Sequence, residues 1–166
     1  MRNLFSPLAA AVLALAALTT AGTAHAAGKV EVLYIDPDKF SDIGIDTLDR
    51  ERALRVLDQH FGKMGERLPD GQELRLEISD IDLAGAIDMG MARGSSVRAF
   101  VGGRDGPQIR FRYRLRAGTT ELKTGEADLS NPKYAENRRT FYQGSAELSH
   151  ERRLLDDWFS KTILTP

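Results

Sequence analysis

Between Ile109 and Arg116 apolar and basic residues alternate without a break. Ile109, Phe111, Tyr113 and Leu115 form one set; Arg110, Arg112, Arg114 and Arg116 form the other. Side chains two apart on a strand share a face, so this segment is a strand with one oily side and one side of four guanidinium groups. It commits the chain to a sheet that buries one face and leaves the other in water. Gln72 to Ser79 repeats the pattern, with Leu74, Leu76 and Ile78 opposite Glu73, Arg75 and Glu77.

The remaining elements arrange themselves around these two. Lys29 to Ile35 is rich in β-branched and aromatic residues and reads as a first strand, stopped by Asp36-Pro37. A helix follows, with Thr47 or Asp46 as its N-cap and Asp49 and Glu51 where the helix dipole favours carboxylates. Leu54, Leu57, Phe61, Met64 and Leu68 recur at steps of three and four, which marks one buried helix face. Leu68-Pro69-Asp70-Gly71 is the turn that ends it. The glycine-rich stretch from Gly85 to Pro107 contains one short strand near Val97–Val101 and reads as an excursion or a bulged edge. Ala117-Gly118-Thr119 closes a hairpin into Glu121–Leu129, where Gly125 marks an expected bulge.

After a polar linker at Asn131-Pro132, a last helix from about Ala146 to Lys161 buries Leu148, Leu155, Trp158, Phe159 and Thr162 or Ile163. The order β-α-β-β-β-β-α predicts an α+β fold: one mostly antiparallel sheet of four to five strands with two helices on its apolar face. If the first two long strands are neighbours, their helical crossover is right-handed.

Residues 1–26 are read as a cleavable signal peptide and 27–166 as a single domain. Arg2 is followed by an apolar run from Leu8 to Leu18 and a small-residue cleavage site at Ala24-His25-Ala26. The run is shorter than the roughly 20 residues a membrane helix needs, so no span is expected after cleavage. The expected address is the periplasm, with secretion as the alternative. The chain has no cysteine, which excludes disulfides, a thiol nucleophile and a thiolate zinc site. With 23 Lys and Arg against 24 Asp and Glu, bulk polyanion binding is not expected.

Three phrases resemble a known family in order along the chain. They are Val32-Leu33-Tyr34-Ile35-Asp36-Pro37-Asp38-Lys39-Phe40-Ser41-Asp42-Ile43-Gly44, Ile78-Ser79-Asp80-Ile81-Asp82-Leu83-Ala84-Gly85 and Leu154-Leu155-Asp156-Asp157-Trp158-Phe159. The chain is similar to domain-of-unknown-function family 3016, short exported proteins of Gram-negative bacteria. The resemblance implies export but carries over no activity, substrate or site.

Two groups of residues are candidates for function. Arg110, Arg112, Arg114 and Arg116 form a ladder that would suit an anionic envelope ligand such as the phosphate groups of lipid or cell-wall polymer. The competing and favoured reading is cross-strand pairing with Glu73, Glu77, Glu121, Glu126 and Asp128. An RNA-recognition sheet would expose aromatics; here Phe111 and Tyr113 fall on the buried side, so no nucleic acid is expected.

Asp36, Asp42, Asp80 and Asp82 are the second candidate. Parallel neighbouring strands would bring their loops to one sheet edge, where carboxylates could hold a calcium-like ion or act as an acid/base pair. The spacing fits no calcium loop, and aspartates that cap turns are the favoured alternative. His60 and His150 lack a paired metal spacing, Ser145 lacks a nucleophile elbow, and the Gly90–Ser96 stretch lacks the lysine of a phosphate loop. No metal or cofactor is expected. The leading expectation is a non-enzymatic binding domain at the cell envelope, with an envelope protein or an anionic envelope ligand as partner. A hydrolase or metal-dependent enzyme built on the four aspartates is the alternative, and an assembly subunit the third.

Overall fold

Strand β1 (Lys29–Tyr34), helix α1 (Thr47–Gly65) and strand β2 (Gln72–Asp82) form a parallel crossover in the computed structural model, which describes residues 27–87, 98–99, 105–134 and 147–165. Residues 1–26, most of the glycine-rich excursion (with Met89, Met91 and Arg93) and Ser145 lie outside the described residues. Strands β5 (Gln108–Ala117) and β6 (Thr120–Ser130) complete a four-stranded sheet in the order β1-β2-β5-β6, antiparallel except for the β1/β2 pair. The short strand expected near Val97 does not join it. Arg98–Ala99 (β4) pairs instead with Ala86–Ile87 (β3) as a separate two-stranded ribbon. Helix α2 (Ser149–Trp158) runs on into a π-turn at Phe159–Ile163.

The alternation read from the sequence is the alternation in space. Leu74, Leu76 and Ile78 of β2, and Ile109, Phe111 and Leu115 of β5, are buried in one cluster. Leu57, Phe61 and Met64 of α1 and Leu155, Trp158 and Phe159 from the last helix and its π-turn join them. Each such aliphatic or aromatic side chain contributes about 1.5–3 kcal/mol relative to exposure, so both helices are held against the same face of the sheet. Asp46 caps α1, its carboxylate accepting the Asp49 amide at 2.8 Å. Leu54, expected on the buried face, is half-buried, while His60 takes a buried place. The helix ends against β1 backbone to backbone: a Cβ on Gly65 would stand 3.0 Å from the Val30 nitrogen. α2 begins at Ser149 rather than Ala146, and Leu148 is only half-buried.

Two register shifts decide which residues face outward. In β2 a bulge falls between Ile78 and Asp80, so Ser79 is the extra residue. An extra residue resets the two-residue period. Ile78 and Ile81 therefore both point into the core, and Asp80 pairs with Arg110 on the other side. The second shift lies between Leu115 and Arg116, which pair with Lys123 and Glu121 and leave Leu122 as the extra residue. Gly125, where the bulge was expected, instead pairs in regular register with Tyr113.

Gly125 makes room for an aromatic ring. A Cβ there would stand 2.8 Å from the Tyr113 hydroxyl oxygen, and the Tyr113 ring meets Trp158 edge-on at 5.3 Å. Gly125→Val is expected to displace the ring and cost about 1–3 kcal/mol through overpacking. In a Tyr113→Ala background the same change should cost clearly less, because the space has been vacated. Equal costs in both backgrounds, read from urea midpoints, would show that the ring is not what the glycine accommodates.

Candidate functional site

The sheet turns one face to water, and its charges are balanced. Lys29, Arg75, Arg110, Arg112, Arg114 and Arg116 share it with Glu31, Glu73, Glu77, Glu121, Glu126 and Asp128. The carboxylates sit where the register puts them beside the arginines. Arg112 Nε donates to Glu126 at 2.8 Å, Arg114 Nε lies 3.2 Å from Glu121, and Arg110 lies 3.2 Å from Asp80 and 3.5 Å from Asp128. Arg116 donates to the Thr119 carbonyl at 3.3 Å. Exposed pairs of this kind contribute ~0–1 kcal/mol each, so they neutralise the face more than they stabilise it. The exposed side chains of Leu33 and Ile35, on the outer strand, add an apolar strip beside Glu77.

The acidic residues at the carboxyl ends of β1 and β2 divide into one that stands apart and three that meet. Asp36 is exposed, has a left-handed backbone (φ 51°) and pairs with Lys39 at 2.8 Å. Asp42 and Asp82 are joined by a parallel bridge that carries the β1/β2 ladder one step further; the Leu83 amide donates to the Asp42 carbonyl at 2.9 Å. The Asp42 carboxylate accepts from both terminal nitrogens of Arg98, at 2.7 and 2.9 Å, and from the Gly44 amide at 3.1 Å. Asp80, 8 % exposed, accepts from the Ser41 amide at 2.7 Å, the Ser41 hydroxyl at 2.9 Å and Arg110 at 3.2 Å. These carboxylates pin the Phe40–Gly44 loop onto the end of β2. Among the described residues no three His, Cys, Asp or Glu side chains group closely enough to hold a metal ion.

The Asp82 side chain makes no hydrogen bond among the described residues, and its carboxyl is pushed above its ordinary value of 3.8. Burial is the main cause; the Asp42 and Asp80 charges add to it, against opposing pulls from Arg98 and Arg110. The folded chain therefore holds this proton to a higher pH than the unfolded chain does. The resulting penalty on folded stability is absent below 3.8, grows as the pH rises from there to the folded value, and is complete above it. Asp82→Asn should raise Tm at neutral pH, with the gain fading as the pH falls below that value. A gain that grew with acidity would contradict this.

Two residues that carry this edge, Arg98 and Glu151, and a third away from it, His60, were not legible as a motif. Arg98, from the short ribbon, lies 56 residues from Asp42 in sequence. Glu151, 2 % exposed, accepts the Ala84 amide at 2.7 Å and so fastens the start of α2 to the loop after β2. His60, buried on α1, has Nε2 3.4 Å from Asp156, which also binds Arg67 at 3.0 Å. No local spacing signals these contacts. A pocket of about 280 Å³ lies between α1 and the start of α2, lined by Ile43, Leu83 and Leu148 beside Asp49, Arg52 and Glu151. It concentrates no charge of one sign. No helix of the described residues is long and apolar enough to cross a membrane.

An α+β domain with a charge-balanced open sheet and a carboxylate-pinned edge is thus what the sequence builds. The chain belongs to the family described as protein of unknown function (DUF3016), whose model matches residues 28–161. Neither the curated proteins nor the solved structures contain a match to it.

Proposed function

We propose that this chain is an exported binding domain of the cell envelope that works by surface recognition, with the open face of the sheet as its recognition surface. The observation that carries this reading is the assignment of the carboxylates. Asp42 and Asp80 are held by Arg98, Ser41 and Arg110, and Asp36 stands apart with Lys39. Of the four, Asp82 alone keeps a carboxyl without a hydrogen-bond partner among the described residues, so three of the carboxylates are engaged before any substrate or ion arrives. The open face, by contrast, presents paired but exposed guanidinium groups next to Leu33 and Ile35. Mixed charge beside aliphatic surface is a composition suited to a specific partner rather than to a bulk polyanion. The leader read at residues 1–26 supplies the address, periplasmic or secreted.

Two measurements test this. The mature chain is expected in the periplasmic or secreted fraction, beginning at Ala27; an intact Met1 in the cytosol would count against export. The mature chain is also expected to co-sediment with isolated envelope fragments, and the Arg112→Glu/Arg114→Glu double variant to stay in the supernatant while remaining folded. Undiminished co-sedimentation of the double variant would remove the open face from this role. For the hydrolase or metal alternative built on Asp36, Asp42, Asp80 and Asp82, titration with calcium, magnesium and zinc is expected to give no saturable heat and no rise in Tm.

A further inference from the structure

On the open face, Arg75 of β2 and Arg114 of β5 are direct cross-strand partners. Like charges placed opposite one another on an antiparallel pair repel. Both are about half exposed. Their carboxylate contacts are made at Nε, Arg75 to Glu77 at 3.4 Å and Arg114 to Glu121 at 3.2 Å. Among the described residues neither guanidinium donates a hydrogen bond, whereas the neighbouring Arg112 is engaged with Glu126 at 2.8 Å. Arg75, Arg112, Arg114 and Thr124 line one hollow of about 200 Å³, with Glu77 and Glu126 at its sides. The Thr124 hydroxyl donates to the Tyr113 carbonyl at 3.2 Å, and Tyr113 and Gly125 complete the lining of the hollow.

We propose that Arg75 and Arg114 are a two-guanidinium clamp for a single phosphoryl group; this rests on the open face being the recognition surface and names the chemistry it reads. A carboxylate has two oxygens and one charge and is filled by one guanidinium fork. A phosphate monoester carries close to two charges on three terminal oxygens, so it can take both forks at once and relieve their repulsion. The balanced charge around the hollow confines the attraction to that one group, which separates the clamp from a general polyanion surface. The phosphoryl group has two sources, free phosphate and a phosphorylated lipid headgroup.

The test uses the full mature chain. Inorganic phosphate should shift the side-chain ¹⁵N resonances of Arg75 and Arg114 saturably and leave Arg116 unmoved. Arg75→Gln or Arg114→Gln should weaken phosphate binding roughly tenfold, as loss of a charge-assisted contact does, while Arg116→Gln should not. Co-sedimentation with phosphatidic acid vesicles, but not with phosphatidylcholine vesicles, would assign the headgroup as source. Saturable phosphate binding without vesicle binding would assign the free ion. No saturable shift at Arg75 and Arg114, or wild-type phosphate affinity in both Gln variants, overturns the clamp. If envelope co-sedimentation survives that result, the recognition face stands and only its phosphoryl chemistry falls.

Discussion

Trp158→Ala is expected to cost about 3–5 kcal/mol of folding stability, the largest single-residue loss in the chain, as for other buried tryptophans truncated to alanine. Trp158 is the only tryptophan and the last residue of α2. Its ring meets Phe111 edge-on at 4.7 Å and Tyr113 at 5.3 Å. It is thus the wedge between the second helix and the central antiparallel strands, and truncation would open a cavity bounded by β5 on one side and Phe159 on the other. Urea unfolding followed by far-UV circular dichroism reads the effect. Leu122→Ala, at an exposed bulge residue, should stay within about 0.5 kcal/mol of the parent. A Trp158→Ala loss no larger than that of Leu122→Ala would mean that α2 does not cover the sheet.

Asp80→Ala ranks second, at about 2–4 kcal/mol, because it strips a buried carboxylate of three partners at once. The Ser41 amide and hydroxyl and the Arg110 guanidinium would all lose their acceptor. The Phe40–Gly44 loop should then detach from the end of β2, so amide exchange at Ser41 is expected to speed up along with the drop in the unfolding midpoint. Asp36→Asn is the matched control. Its exposed pair with Lys39 is of the kind that contributes little, and asparagine tolerates the left-handed backbone there. Similar losses for the two variants would contradict the division of the aspartates into structural and exposed members.

The sequence was most informative wherever one short-range period decides the outcome. The Ile109–Arg116 alternation places Phe111 in the core and Arg112 in water, and of the two N-caps the sequence offered for α1, Thr47 and Asp46, Asp46 is the one used. The parallel pairing of β1 and β2 was legible only as a condition, because a helix-sized segment permits a crossover without requiring one; the structure makes the pair parallel neighbours. What stayed hidden depends on contacts between distant segments. Gly125 looks like a bulge residue by local rule, yet the room it gives the Tyr113 ring is a cross-strand matter. The bulge at Ser79 is foreshadowed by Ile78 and Ile81 standing three apart, which breaks the strand period, but only pairing with β5 reveals it. Arg98 on Asp42, Glu151 on Ala84 and Arg75 opposite Arg114 each join residues that no spacing relates.

Because the chain has no cysteine, a single introduced thiol reports on one surface position, and this gives the most direct test of the open face as the recognition surface. Arg112→Cys is expected to react rapidly with a maleimide in the folded protein and to be slowed when isolated envelope fragments are added. Arg55→Cys, on the exposed side of α1, should react at the same rate with and without them. Slowing at position 55 and none at 112, or a thiol at 112 that labels only after unfolding, would contradict it.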